Sequence, residues 1–135
     1  MTRFVDLGSS DLKYRVYVIE LDPEVSLQTR WKDQNPNQTE QECFYVGYSR
    51  HSAVCRLKQH LNSTGRHTVH CVCDVVPGEP VGSRGNRYVK RFGWHIADDS
   101  FHPKLRRFRT KDEAKRAEVD YANLLRSEGY GAWQK

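Results

Sequence analysis

At 135 residues, with 37% hydrophobic and 29% charged residues, the chain has the length for one domain with a modest core, and its composition is that of a folded protein. No apolar run is long enough to span a bilayer and no basic n-region with an apolar h-region opens the chain, so a cytoplasmic protein is expected. The formal net charge of +5 is unevenly placed: between Ser83 and Arg109 eight Lys and Arg meet only Asp98 and Asp99, a local +6 that leaves −1 for the rest. A basic excess confined to one stretch points to a polyanion-binding surface, with a plain solvated face as the alternative.

Four cysteines without an export signal do not read as a disulfide framework. Cys43 and Cys55 sit within apolar patterns and read as small core residues.

Met1 to Asp11 is a polar lead-in. Tyr14 to Leu21, YRVYVIEL, alternates Tyr14, Val16 and Val18 with Arg15, Tyr17 and Ile19, which predicts a strand. Asp22 to Glu42 carries Pro23 and Asn35-Pro36-Asn37, with only Val25, Leu27 and Trp31 apolar. It reads as a long polar insertion, ordered in part around Trp31 or not at all.

Cys43 to Tyr48 predicts a second strand closing on Gly47, where a missing side chain lets another group approach. A helix follows from a Ser52 cap, with Val54, Leu57 and Leu61 as its apolar stripe. Arg56 and His60, four residues apart, fall together on another face of that helix. A second insertion, 62–82, includes an extra short strand from Thr68 to Val76, ended by Pro77-Gly78-Glu79-Pro80. Tyr88 to Phe92 predicts a short basic helix with Gly93 as its C-cap. Arg84, Arg87, Lys90 and Arg91, mostly on one face, are the candidate phosphate contacts. Leu105 to Arg109, basic on both faces, predicts a last strand at a sheet edge.

The final helix has the strongest local signals. Thr110 and Glu113 form a capping box, and Ala114, Ala117, Tyr121, Leu124 and Leu125 supply an apolar face until Gly129. With Ala114 at zero on the helical wheel, Glu118 falls at about 40°, inside the apolar arc. A carboxylate aimed at the core must meet a cation, a metal or several donors.

Two strand tyrosines, an Arg/His pair, an inward carboxylate and a basic segment are together what phosphodiester hydrolysis needs. The cation neutralises charge on phosphate oxygens, the carboxylate is a hard ligand for Mg²⁺, and a phenol or imidazole moves protons.

These residues resemble the GIY-YIG nuclease family. Arg15-Val16-Tyr17 stands where that family has Gly-Ile-Tyr, and Tyr45-Val46-Gly47 stands where it has Tyr-Ile-Gly. Arg56 with His60 resembles its helix motif, and Ala114-x-x-x-Glu118 resembles its metal-binding glutamate helix. The resemblance runs from Tyr14 to the C-terminal helix. It departs at Arg15, which replaces the first glycine, at the 22–42 insertion between the two tyrosine strands, and in the tail, which lacks the asparagine many members carry.

The resemblance implies an α/β (α+β) fold with a small three-stranded, mostly antiparallel sheet flanked by helices. It implies a metal-dependent endonuclease acting on DNA, with one Mg²⁺ (or Mn²⁺) held by Glu118. Tyr17 would be the general base, its acidity raised by Arg56 and the metal; Tyr45 would hydrogen-bond the phosphate or water. Arg56 would stabilise the phosphorane charge, and His60 would assist proton transfer or hold the phosphate. Two other readings stay open: an inactive nucleic-acid-binding module of the same fold, and zinc held by Cys71 and Cys73 with His67 or His70. A homodimer, the 22–42 insertion or a partner chain could supply specificity.

Overall fold

The structure is a computed structural model, and it describes residues 12–51, 53, 55–57, 69–70, 80–81 and 86–134. His60, Arg84, Ser52, Val54, Leu61, His67, Cys71 and Cys73 lie outside the described residues, as does the side chain of His70.

Strand β1 (Tyr14–Leu21) pairs antiparallel with β2 (Cys43–Ser49), so that Tyr17 faces Gly47 and Ile19 faces Tyr45. The expected three-stranded sheet has five strands among the described residues. Besides these two strands it contains β5 (Gly93–Ile96), β6 (Arg107–Phe108) and β7 (Gly131–Gln134). β5 and β6 both pair antiparallel with the outer side of β1, at its end and its start respectively. β7 runs parallel to β2. Leu105 to Arg109 thus contributes only Arg107 and Phe108 to pairing, and Leu105 is exposed. Within the second insertion, β3 (Val69–His70) pairs with β4 (Pro80–Val81) as a separate ribbon.

Alternation in β1 and β2 divides the core in two. Tyr17, Ile19, Leu21, Cys43 and Tyr45 pack on one face with Trp31, Tyr88, Val89 and Phe92. Val16, Val18, Phe44 and Val46 pack on the other with Ala122, Leu125 and Ala132. Both Cys43 and Cys55 are buried, as expected of small core residues.

The 22–42 insertion is ordered around Trp31. It forms a 3₁₀ turn (Pro23–Leu27) and helix α1 (Thr29–Gln34). Six residues are too few to hold a helix in water, so tertiary contact must hold this one. Trp31 is fully buried, stacked on Trp133 and edge-on to Tyr88, and its indole N–H donates to Gln38. Asn35 adds a polar tie: its amide donates to the carbonyls of Trp31 and Ala132, while its oxygen accepts from Ala132 N–H and Arg126 Nε.

Helix α2 (Arg87–Phe92) is capped by Asn86, whose side chain accepts from the Tyr88 and Val89 amides. Gly93 is its C-cap in an extended conformation rather than a left-handed one, because the chain passes directly into β5. Helix α3 (Lys111–Ser127) begins with the full Thr110/Glu113 capping box and ends before Gly129, at φ +94°. Its buried residues are Ala114, Glu118, Ala122 and Leu125, while Leu124 is 48% exposed. The buried arc is therefore rotated from the expected one, and Glu118 lies near its middle. No helix among the described residues is long and apolar enough to cross a membrane.

Candidate active site

The start of β1 and the end of β2 meet at one end of the sheet, where an open cleft of about 370 Å³ forms. It is lined by Tyr17, Tyr45, Arg56 and Glu118 together with Tyr14, Tyr48, Ser49, Arg50, His51 and Lys111. Four side chains from separate elements thus converge: the two tyrosines from neighbouring strands, Arg56 from the helical segment at 55–57, and Glu118 from α3.

Gly47 decides how the two strands share this space. A Cβ there would lie 2.5 Å from Tyr17 Oη and 2.6 Å from its Cζ, so the Tyr17 ring crosses β2 where no side chain stands. The ring then rests at 6.2 Å, centroid to centroid, from Tyr45 and tilted by 50°. Arg56 Nε donates to Tyr17 Oη at 3.4 Å.

Burial pushes the Tyr17 phenol above its ordinary value, with Arg56 opposing and the Glu118 charge reinforcing that rise. Burial pushes Tyr45 well above the same value, reinforced by Tyr17 and Glu118. The expectation that positive charge would lower the Tyr17 pKa is met only in part. Arg56 stands in the right place and acts in the right direction, but desolvation of a phenol only 2% exposed outweighs it. Both hydroxyls hold their protons at neutral pH.

Glu118 is 1% exposed, in accord with its place on the wheel. Seven residues earlier, Lys111 lies on the same helical face and lines the same cleft. With Arg50 and Arg56 it gives the cleft three cationic lining residues against one carboxylate, an electrostatic setting for an anion rather than for a neutral ligand.

The donors fit a hard divalent cation. One buried carboxylate beside phenol and serine oxygens is a partial set of the kind Mg²⁺ uses, completed by water and substrate phosphate. Among the described residues no three His, Cys, Asp or Glu side chains gather as a closed metal cage would require.

Of the residues predicted to bind phosphate, Arg87 and Arg91 line a different, basic groove, and Lys90 is exposed on α2 outside both cavities. Sequence reasoning missed Lys111, His51, Arg50 and the outer tyrosines. Lys111 was accessible from its i, i+7 relation to Glu118, and residues 49–51 from their place just after Gly47. No protein-family profile, curated protein or solved structure matches the chain.

Proposed function

We propose that the chain is a metal-dependent endonuclease of the GIY-YIG type that hydrolyses phosphodiester bonds in DNA. The observation that carries this reading is the meeting of Tyr17, Tyr45, Arg56 and Glu118 in one cationic cleft, from positions as far apart in sequence as 17 and 118. Two buried phenols, a guanidinium and a buried carboxylate that line one cleft are the kind of cluster in which acid–base and metal chemistry is found.

Glu118 would hold Mg²⁺ or Mn²⁺, with the substrate phosphate and water completing its shell. The bound ion supplies positive charge at the phosphate oxygens and beside the two phenols. The protein's own groups do the rest. Arg56 faces the charge that grows on the nonbridging oxygens as water adds to phosphorus and the leaving P–O bond breaks. Its bond to Tyr17 fixes the phenol oxygen, so that Tyr17 holds the attacking water by accepting a hydrogen bond from it, while the proton the water loses passes to bulk solvent and the leaving oxygen takes one from solvent. Tyr45, protonated and buried, donates a hydrogen bond to the phosphate or the water. Lys111 and Arg50 attract and position the flanking anionic backbone.

The test is incubation of supercoiled plasmid and of branched DNA with the purified chain and Mg²⁺ or Mn²⁺. Nicked or linear products that disappear on adding EDTA are expected. Intact DNA under every metal condition, with the protein bound to it, would replace this reading by that of a binding module.

A further inference from the structure

We infer that the 22–42 insertion is part of the DNA-binding surface, because Arg30 of α1 completes a phosphate-binding groove with Arg87 and Arg91 of α2. This deepens the reading above and rests on DNA being the substrate. The groove, about 460 Å³, is lined by these three arginines with Gln28, Thr29, Tyr88 and Phe92.

Three features make it more than a solvated face. Arg87 and Arg91 stand at i, i+4, where like charges repel, and Arg30 adds a third positive charge across the groove with no carboxylate in its lining. None of the three forms an ion pair with a carboxylate among the described residues. The walls are also held in place. Trp31, next to Arg30, is locked edge-on against Tyr88, itself a lining residue, and the Arg91 guanidinium lies 4.9 Å from the centre of the Phe92 ring.

The groove has a fixed relation to the cleft. Trp31, Tyr88 and Phe92 pack in the same cluster as Tyr17 and Tyr45, so the groove and the tyrosine wall of the cleft belong to the same side of the sheet. The Phe92 carbonyl accepts from the Asp22 amide, just past the end of β1. Five residue steps separate Asp22 from Tyr17, about 16 Å at roughly 3.3 Å each. That is about five nucleotide steps of duplex rise, so one DNA segment over this side of the sheet reaches both. A planar guanidinium fork suits phosphate oxygens, and backbone contact of this kind carries no sequence preference.

The experiment is fluorescence anisotropy of a labelled DNA duplex with the full chain in EDTA, at several salt concentrations and with two unrelated sequences. Arg30→Ala should weaken binding several-fold and equally for both sequences, and flatten the log–log salt slope by about 0.9 for one lost phosphate contact. Arg87→Ala with Arg91→Ala should flatten it about twice as much. Lys32→Ala, on the same helix but outside the groove, should change neither by as much.

Unchanged binding by Arg30→Ala, or an equal loss in Lys32→Ala, overturns the proposal. Because binding is read without metal, DNA that is bound but never cleaved would remove the catalytic reading and leave this groove standing. Wild-type protein that binds no DNA overturns both.

Discussion

Replacing Gly47 by alanine tests the one close approach on which the cleft depends. The added Cβ would sit 2.5 Å from Tyr17 Oη where ordinary contact begins at 3.4 Å, so the ring must yield by roughly 1 Å. It has little room to do so: Tyr17 is 2% exposed, with Tyr45 on one side and Arg56 in hydrogen-bond contact. Overpacking of this kind costs about 1–3 kcal/mol. Removing a glycine stiffens the unfolded chain and offsets about 0.4–1 kcal/mol of that. The expected net loss is about 0.5–2 kcal/mol, a urea midpoint lower by roughly 0.3–1 M for a slope near 2 kcal/mol/M. Cleavage should suffer more, about 100-fold, because a displacement near 1 Å at a reacting group has that effect. Equilibrium urea unfolding and plasmid cleavage by the folded variant measure the two. An unchanged midpoint with unchanged turnover would refute the placement of Tyr17 over Gly47. Lost stability with full turnover would show that the Tyr17 hydroxyl takes no part in the chemistry.

Asn35→Ala removes four hydrogen bonds, three of which tie α1 to β7 and α3, and should lower stability by about 2–4 kcal/mol in urea or thermal unfolding. A loss below about 0.5 kcal/mol would mean that the insertion is not docked as described. Thr110→Ala breaks the capping box of α3 and should cost about 1 kcal/mol by the same measurement, with Thr110→Ser restoring most of it. Burial keeps the Tyr17 and Tyr45 phenols above their ordinary value near 10, and the Tyr121 phenol is pushed up to about 12. Groups with a raised folded pKa contribute stability that is fully present below the unfolded value and is lost as pH rises through the folded one. Stability should therefore hold up to about pH 10 and fall above it. A phenolate absorbance titration should show these three tyrosines ionising late or only on unfolding; complete ionisation near pH 10 in folded protein would contradict their burial.

Alternation along Tyr14–Leu21 and Cys43–Ser49 was legible because each strand is long enough to show a period, and the capping box marked α3 from chemistry confined to four residues. The inward position of Glu118 followed from helix geometry alone. β5 and β7 were not legible. Each has four residues and no alternation, and β7 exists through pairing with β2, whose partner residue Cys43 is 88 positions before Gly131. The buried arc of α3 was misjudged because leucine was preferred over alanine: Ala122 packs against the sheet, where a small residue fits, and Leu124 is exposed. Within the cleft, Arg56, Tyr17 and Tyr45 could be named from local motifs; the signals for Lys111 and residues 49–51, a helical i, i+7 spacing and a place just after Gly47, gain meaning only once tertiary placement joins them to the same cleft. Arg30 illustrates the same limit. Its neighbours Arg87 and Arg91 lie more than fifty positions later, and only the docking of Trp31 brings α1 beside them.

The most direct test of the central claim compares wild type, Glu118→Gln and Arg56→Ala in single-turnover DNA cleavage with Mg²⁺ or Mn²⁺, with DNA affinity measured in parallel. The account predicts metal-dependent cleavage by wild type, and its loss in both variants while Glu118→Gln still binds DNA as wild type does. Cleavage by Glu118→Gln at the wild-type rate would contradict it, because the buried carboxylate would then have no part in the chemistry.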